Sequence, residues 1–385
     1  MPRSILFVSN GHGEAAIADR IAQEVRALDP EVAIDHMPLV GDSRAAYMNE
    51  VGPREVMPSG GLIAMGNLTN IVRDLRSGLA GLTLRQRTFL RSTRGKYDRT
   101  IAIGDVFALL MTLAVKAPAT YVGTAKSVRV APYGVVERMV LRRADQIFVR
   151  DEPTAQRLRA QRVQALAPGN VIVDLFGDED PRASAAVEGF DPAIALFPGS
   201  RQGSYGDGAF LLEVVRGVSQ TQPHLGAVLS VAPLLGPERF IERFERLGLQ
   251  IERRDDARIP FVVRDGDRML ARAWHGPIGP LLTRVQLVIG QAGTANEAAA
   301  AAGVPVVAFA RERDRKTAWY RMRQHGLLGD ALEVLPGNVE AASAGLLELL
   351  ADAPRRARMG EHGRERMGGP GGARAIAQAV VRSLQ

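Results

Sequence analysis

The feature that most constrains this chain is an alternation: short apolar runs take turns with stretches of helical spacing from one end to the other. That order is the signature of repeated strand-helix-strand units, which build parallel sheets covered by helices. In the first half the pattern predicts strands near residues 4–9, 32–37, 99–103, 118–122 and 145–149, and in the second half near 193–197, 226–232, 259–263, 286–289 and 304–309. At 385 residues the chain is too long for one ordinary core, so two domains are expected. The polar stretch Gly177-Asp178-Glu179-Asp180-Pro181-Arg182-Ala183-Ser184 reads as the linker between them. The expected fold class is α/β, with two doubly wound, Rossmann-like domains facing a cleft. Ligands of such sheets bind beyond the carboxyl ends of the strands.

Two glycine-rich turns in the second half fall where a buried strand should hand over to a helix. The first is Phe197-Pro198-Gly199-Ser200-Arg201, and the second is Gly290-Gln291-Ala292-Gly293-Thr294-Ala295-Asn296-Glu297. Glycine lets backbone N–H groups approach phosphate oxygens, and a following helix N-terminus favours negative charge. Arg201 adds a cation, and the Glu297 carboxylate can accept two hydrogen bonds from a ribose diol. Each turn also has a structural reading. Thr294 to Glu297 fits a capping box, and Pro198-Gly199-Ser200 fits an ordinary strand-to-helix turn. Their joint occurrence, followed by the fresh apolar run Gly303 to Phe309, predicts a nucleotide-sugar site. Its expected donor-binding residues are Gly199, Ser200, Arg201, Gly290, Gln291, Gly293, Thr294 and Glu297.

The turn Ser9-Asn10-Gly11-His12-Gly13-Glu14-Ala15-Ala16 matches the dinucleotide pattern G-x-G-x-x-A at Gly11, Gly13 and Ala16, with Asp35 at the distance of a ribose-binding acid. An NAD-dependent dehydrogenase is therefore a rival reading. Against it, Glu14 places a carboxylate at the helix N-terminus, where a pyrophosphate would need to bind. The loop is read instead as the acceptor side, with His12 and Glu14 as polar contacts or helix-capping groups and as candidate catalytic residues. Ile101-Ala102-Ile103-Gly104-Asp105 is a buried strand ending in a carboxylate. Asp105 is a candidate general base and equally a candidate helix N-cap. Asp265-Gly266-Asp267 reads more readily as a turn than as a metal-binding pair. His224 and His275 lack partners at metal-ligand spacing, so no metal is assigned.

Composition narrows the classes. The chain is 46% hydrophobic and 24% charged, with no cysteine, which excludes disulfides, zinc fingers and thiol catalysis. No apolar stretch approaches the roughly 20 residues that cross a bilayer, and the N-terminus runs almost directly into Ile5-Leu6-Phe7-Val8 with no secretory pattern. The expected location is the cytoplasm. Of the net charge of +7, a conspicuous part sits at Arg73, Arg76, Arg85, Arg87, Arg91, Arg94 and Lys96, among Leu75, Leu79, Leu82, Leu84, Phe89 and Leu90. Such a stretch suits an anionic membrane surface or a solvated helix face. Nucleic acid is disfavoured as a partner, because no aromatic residues interleave with the basic ones.

These residues resemble the GT-B glycosyltransferases, and most closely lipid A disaccharide synthase and its relatives. Phe197-Pro198-Gly199-Ser200-Arg201, the Gly293-Thr294 to Glu297 turn, Gly13-Glu14-Ala15, Gly104-Asp105 and Pro168-Gly169-Asn170-Val171-Ile172-Val173-Asp174 carry the resemblance. It implies a GT-B architecture: an acceptor-side domain over 1–175, a nucleotide-sugar domain over 190–368, and a final helix over 371–385 that returns to the first domain. It also implies transfer of an N-acetylglucosamine-type sugar from UDP to a lipid-linked acceptor, without metal or other cofactor, with Asp105 as base. Glu297 lies one residue closer to Gly293-Thr294 than in the synthases, and Tyr121 to Ser127 replaces their aromatic segment. The chain is therefore read as a related transferase. A sugar-nucleotide epimerase or hydrolase on the same scaffold is the alternative beside the dehydrogenase.

Overall fold

The computed structural model describes residues 3–39, 46–54, 79–176, 179–200, 202–233, 235–310 and 315–385. The chain divides into two compact units, Met1–Leu175 with Gly369–Gln385, and Phe176–Gly368. Each has the expected Rossmann-like α/β plan.

In the first unit the strands are β1 (Ser4–Ser9), β2 (Ala33–Pro38), β3 (Asn49–Glu50), β4 (Arg99–Gly104), β5 (Ala119–Gly123) and β6 (Gln146–Val149). They form one parallel sheet in the order β3-β2-β1-β4-β5-β6. β4 and β5 are buried at every residue, and β1 at all but its first. A sheet covered on both faces requires such continuous apolar runs in place of an alternating pattern. Helix Gly372–Arg382 belongs to this unit. Asp174 caps it, its carboxylate accepting from the amides of Gly371 at 2.6 Å and Ala373 at 2.7 Å. Asn170 caps the short helix Val171–Asp174, its side chain accepting from Ile172 N at 3.2 Å. The Pro168–Asp174 motif thus does structural work here: it fixes where the last helix starts.

The second unit contains β7 (Ala193–Phe197), β8 (Gly226–Ser230), β9 (Gln250–Arg253), β10 (Phe261–Asp265), β11 (Arg268–Trp274), β12 (Leu287–Gly290), β13 (Val306–Ala310) and β14 (Leu332–Pro336). Their order is β14-β13-β12-β7-β8-β11-β10-β9. The run from β14 to β11 is parallel, whereas β10 is antiparallel to both β11 and β9. Sequence analysis did not anticipate β3, β9, β11 and β14. β9, Gln-Ile-Glu-Arg, and β14 are edge strands with exposed or half-exposed polar positions, a composition that edges favour and that hides them from an apolar-run search. Asp265-Gly266-Asp267 is the turn of the β10–β11 hairpin, with Gly266 at φ +61°. Arg216 holds the Asp265 carboxylate by two bonds of 2.9 and 2.8 Å.

Part of the expected linker is also built into the second unit. Residues 177 and 178 lie outside the described residues, but Arg182–Val187 is a helix. Its Ala183 and Ala186 are fully buried against Val228, Trp274 and Leu281. Two small side chains three residues apart share one helix face, so a helix with few apolar atoms can still lie close to the sheet.

At the first unit's centre, β2 carries a fully buried His36 whose Nε2 lies 2.9 Å from Ser9 Oγ. Burial, aided by the positive charge of Arg54, lowers this imidazole from 6.5 to about 4. Between those values the unfolded chain binds the proton that the folded chain refuses. The stability from neutral His36 is fully present above the unfolded value and is lost as pH falls toward the folded one, by up to about 3 kcal/mol. Urea unfolding of the wild type and His36→Gln between about pH 4 and 7 should show a steeper loss of stability in the wild type. Parallel curves would refute a neutral buried His36.

Candidate functional site

Among the parallel strands of each sheet the order reverses once, and there the connections leave adjacent strands in opposite directions. Beyond the carboxyl ends at such a point lies the crevice where open α/β sheets bind ligands. In the first unit the reversal falls between β1 and β4, and in the second between β7 and β12. Among the described residues, the sequence-predicted catalytic and donor-binding positions fall at these two places.

At the β7/β12 reversal the two glycine turns are neighbours. Gly290 is in register with Phe197, and the Gln291 amide donates to Phe197 O at 2.9 Å. Gly199 stands at φ +109°, a region costly for other residues, and a Cβ there would lie 3.0 Å from Ser204 Oγ. The next helix, Ser204–Ser219, has Gly203 at its N-cap, so Gly199 and Ser200 belong to a loop rather than to a tight strand-to-helix turn. Beside the loop, the Arg239 guanidinium stacks 4.5 Å above the Tyr205 ring and bonds Gln202 at 2.5 Å. Arg201 itself lies outside the described residues.

Helix Thr294–Ala301 begins with Gly293, not Thr294, in the N-cap position. The capping-box reading of Thr294 to Glu297 is thereby corrected: Thr294 is already inside the first turn. Glu297 is half-buried in that same turn. Behind the turn stand residues that sequence reasoning missed. Asn296, fully buried, donates from Nδ2 to Gly290 O at 3.0 Å. From helix Arg315–Leu328, Arg321 donates to Gly290 O at 3.5 Å and Gln291 O at 3.3 Å, and also bonds the Gln291 side chain. Gln324 donates to Ala292 O at 2.8 Å and Gly293 O at 3.4 Å. The only sequence signal for Asn296 was its place in the turn. Arg321 and Gln324 carried none, because they reach the turn from a helix about thirty residues further on.

At the β1/β4 reversal the structure brings together Asn10, Glu14 and Asp105. Asp105 is the N-cap of helix Val106–Thr112, its Oδ1 accepting from Phe107 N at 2.9 Å and Ala108 N at 3.2 Å. Burial raises the pKa of this carboxyl, and the charge of Glu137 adds to the rise; bonds from the Ala108 and Phe107 amides and from Asn10 oppose it. Gly104, at φ +123°, has no room for a Cβ, which would strike the Asn10 amide and stand 3.1 Å from Glu14 Cγ. Tyr121 bonds Gly104 O at 3.0 Å and Tyr133 at 3.2 Å beneath the site. Glu14 folds back over the loop, where a Cβ on Gly11 would lie 2.5 Å from its Oε2. His12 opens helix His12–Leu28, but its side chain lies outside the described residues.

One part of the dinucleotide pattern fails. Asp35 is the third of six residues in β2, not at its carboxyl end, and it bonds Lys96 Nζ at 2.9 Å and the Tyr97 hydroxyl at 2.6 Å. Both partners sit just before the start of β4, at the amino ends of the strands, whereas Gly11 and Gly13 follow the carboxyl end of β1. Of the basic stretch, residues 73, 75 and 76 lie outside the described residues. Arg85, Arg87, Arg91, Arg94 and Lys96 are exposed on or after helix Leu79–Ser92, whose Leu82 and Leu90 are buried.

No protein-family model matches this chain, and neither does any curated protein. Solved structures do match its fold. A putative UDP-N-acetylglucosamine 2-epimerase from Listeria monocytogenes superimposes with a TM-score of 0.62 at 15% identity, covering 99% of this chain and 96% of that one. A UDP co-structure of MnaA from S. aureus gives 0.62 at 14%, covering 99% and 97%. The spinosyn rhamnosyltransferase SpnG, complexed with thymidine diphosphate, gives 0.59 at 14%, covering 98% and 100%. At such identities the likeness establishes the shared two-unit Rossmann-like fold.

The packing of the second turn is directly testable. A Cβ on Gly290 would collide with the Asn296 amide, and overpacking of this kind costs about 1–3 kcal/mol. Gly290→Ala should lower the thermal unfolding midpoint, whereas Gly203→Ala, with open space around the new Cβ, should leave it nearly unchanged. Equal midpoints for both variants would contradict the packing described.

Proposed function

We propose that this protein is an enzyme acting on a nucleoside diphosphate sugar, with UDP as the nucleotide and the diphosphate held at the β7/β12 reversal. The observation that carries this is the pairing of two glycine turns at the ends of adjacent strands, with the carbonyls of one held from behind by Asn296, Arg321 and Gln324. Gly199, Ser200, Arg201 and the amides of the Gly290 to Thr294 turn would stabilise the diphosphate, and Glu297 the ribose. Negative charge developing on a departing diphosphate is best stabilised by such preorganised donors. Asp105, with Glu14 beside it, would move protons at the first unit's reversal. A carboxyl whose pKa is raised is better matched to that work near neutral pH.

Chemistry on the donor alone is the reading that the similar structures favour: two of those described concern a UDP-N-acetylglucosamine 2-epimerase and a UDP complex. This replaces transfer to a lipid as the leading expectation. Incubation with UDP-N-acetylglucosamine in D2O, with no acceptor, followed by proton and phosphorus NMR, tests it. An epimerase returns an epimeric UDP-sugar carrying solvent deuterium where a proton was exchanged, and a hydrolase returns UDP and free sugar. A donor left intact until a sugar or lipid acceptor is added would instead establish transfer. Asp105→Asn keeps an oxygen for the helix cap, since Asn and Asp cap about equally well. It should therefore fold and bind UDP normally yet lose turnover, and full activity would remove Asp105 from the chemistry.

One observation favours a lipid-linked acceptor as a second reading. Helices Leu79–Ser92, Val106–Thr112 and Val135–Leu141 expose Leu84, Phe107, Leu110, Val135, Val136 and Met139. Between residues 79 and 143 the sequence carries twelve Arg or Lys against three Asp or Glu, a surplus of nine that exceeds the chain's net +7. Apolar side chains among basic ones suit an anionic bilayer surface. Among the described residues no helix is long and apolar enough to cross a membrane. Co-flotation with anionic vesicles, lost at high salt and absent with neutral ones, is the expected result; no flotation with either would set this reading aside.

A further inference from the structure

We infer that Gln324 and Arg321 are positioning residues that aim the amides of the Gly290–Thr294 turn at an anionic ligand. The inference rests on the diphosphate reading proposed above and names what makes that turn able to bind. In a trans peptide the carbonyl and the following N–H point in opposite directions. Four consecutive carbonyls, of Gly290, Gln291, Ala292 and Gly293, accept from side chains on the Asn296, Arg321 and Gln324 side of the turn. The amides of Ala292, Gly293 and Thr294 must therefore point away from that side. Thr294 N–H also belongs to the first turn of its helix, where amides have no partner within the helix. The result is a row of amides facing away from the side-chain network, and successive backbone N–H groups turned outward in this way are what binds anions.

The three side chains form one unit. Gln324 Oε1 accepts from Arg321 Nη1 at 2.9 Å and from Asn296 Nδ2 at 3.3 Å, while its own Nε2 holds Ala292 O and Gly293 O. Gln324 and Arg321 are each 5% exposed and Asn296 fully buried, so the geometry is held without competition from water. Arg321 places a guanidinium behind the turn as well, adding positive potential on the side from which the donors point outward. A glycine turn without this backing could rotate its peptide planes and spend its donors elsewhere.

The test separates orientation from folding and from the nucleotide reading itself. Gln324→Met keeps the length and approximate volume of the side chain but removes both of its hydrogen-bonding groups. Calorimetric titration of the wild type and this variant with UDP, UMP and uridine should show UDP affinity falling roughly 10- to 100-fold in the variant, the scale of a lost oriented donor set. Uridine affinity should stay unchanged. Gln324→Glu, which keeps the acceptor for Arg321 and Asn296 but replaces the donor with negative charge, should lose more UDP affinity than Gln324→Met. If UDP and uridine weaken together, or if folded variants bind UDP like the wild type, the positioning role is overturned. If the wild type itself binds UDP no better than uridine, the diphosphate reading fails independently of these residues.

Discussion

The structure depends on one topological constraint, applied twice. A parallel sheet that is extended from its middle outward in both directions must contain a pair of adjacent strands whose following segments depart to opposite faces. Nothing from the sheet's own connections fills the space beyond their ends. β1 and β4 form that pair in the first unit, and β7 and β12 in the second. The described candidates for donor binding and for catalysis lie at the ends of these four strands or in the segments that leave them. The glycines there answer to the same crowding: Gly104 has no room for a Cβ because of Asn10, Gly290 because of Asn296, and Gly199 sits in a backbone region suited to glycine.

Electrostatics differ between the two reversals. At β1/β4 the groups near the loop are carboxylates, Glu14 and a half-buried Asp105, with Glu137 close enough to influence Asp105. At β7/β12 the groups behind the turn are donors, and one of them is a guanidinium. The first set disfavours a bound anion more than the second does, with Lys126 paired to Glu137 at the one and Glu297 in the first helical turn at the other. That contrast, together with Asp35 committed to Lys96 and Tyr97 at the amino ends of the strands, is why the diphosphate is proposed for the second unit despite the glycine pattern at Gly11 and Gly13.

The strands that built the sheets' centres were legible in the sequence because full burial leaves a continuous apolar run, as in Ile101-Ala102-Ile103 or Leu287-Val288-Ile289. The edges were not: β9 is Gln-Ile-Glu-Arg and β14 is a short strand with Glu333 between its leucines; inside the sheet, β11 was hidden by Arg272 within an otherwise apolar run. The glycine turns and Asp105 could be found because strand-to-helix turns are local and their spacing is written in consecutive residues. The network behind the second turn could not. Arg321 and Gln324 lie on a helix whose sequence shows no unusual pattern, and only folding brings them under Gly290 to Gly293. His36 was hidden for a similar reason, since a histidine in a strand declares nothing about whether its ring will be buried against Ser9.

The central claim is that the second unit's reversal holds the diphosphate. The most direct measurement is a crystal structure of the protein grown with UDP. The account predicts phosphate oxygens within hydrogen-bond distance of the Ala292, Gly293 and Thr294 amides and the uridine ribose beside Glu297. Density for UDP at Gly11-His12-Gly13, with the Gly290 to Thr294 turn empty, would contradict it.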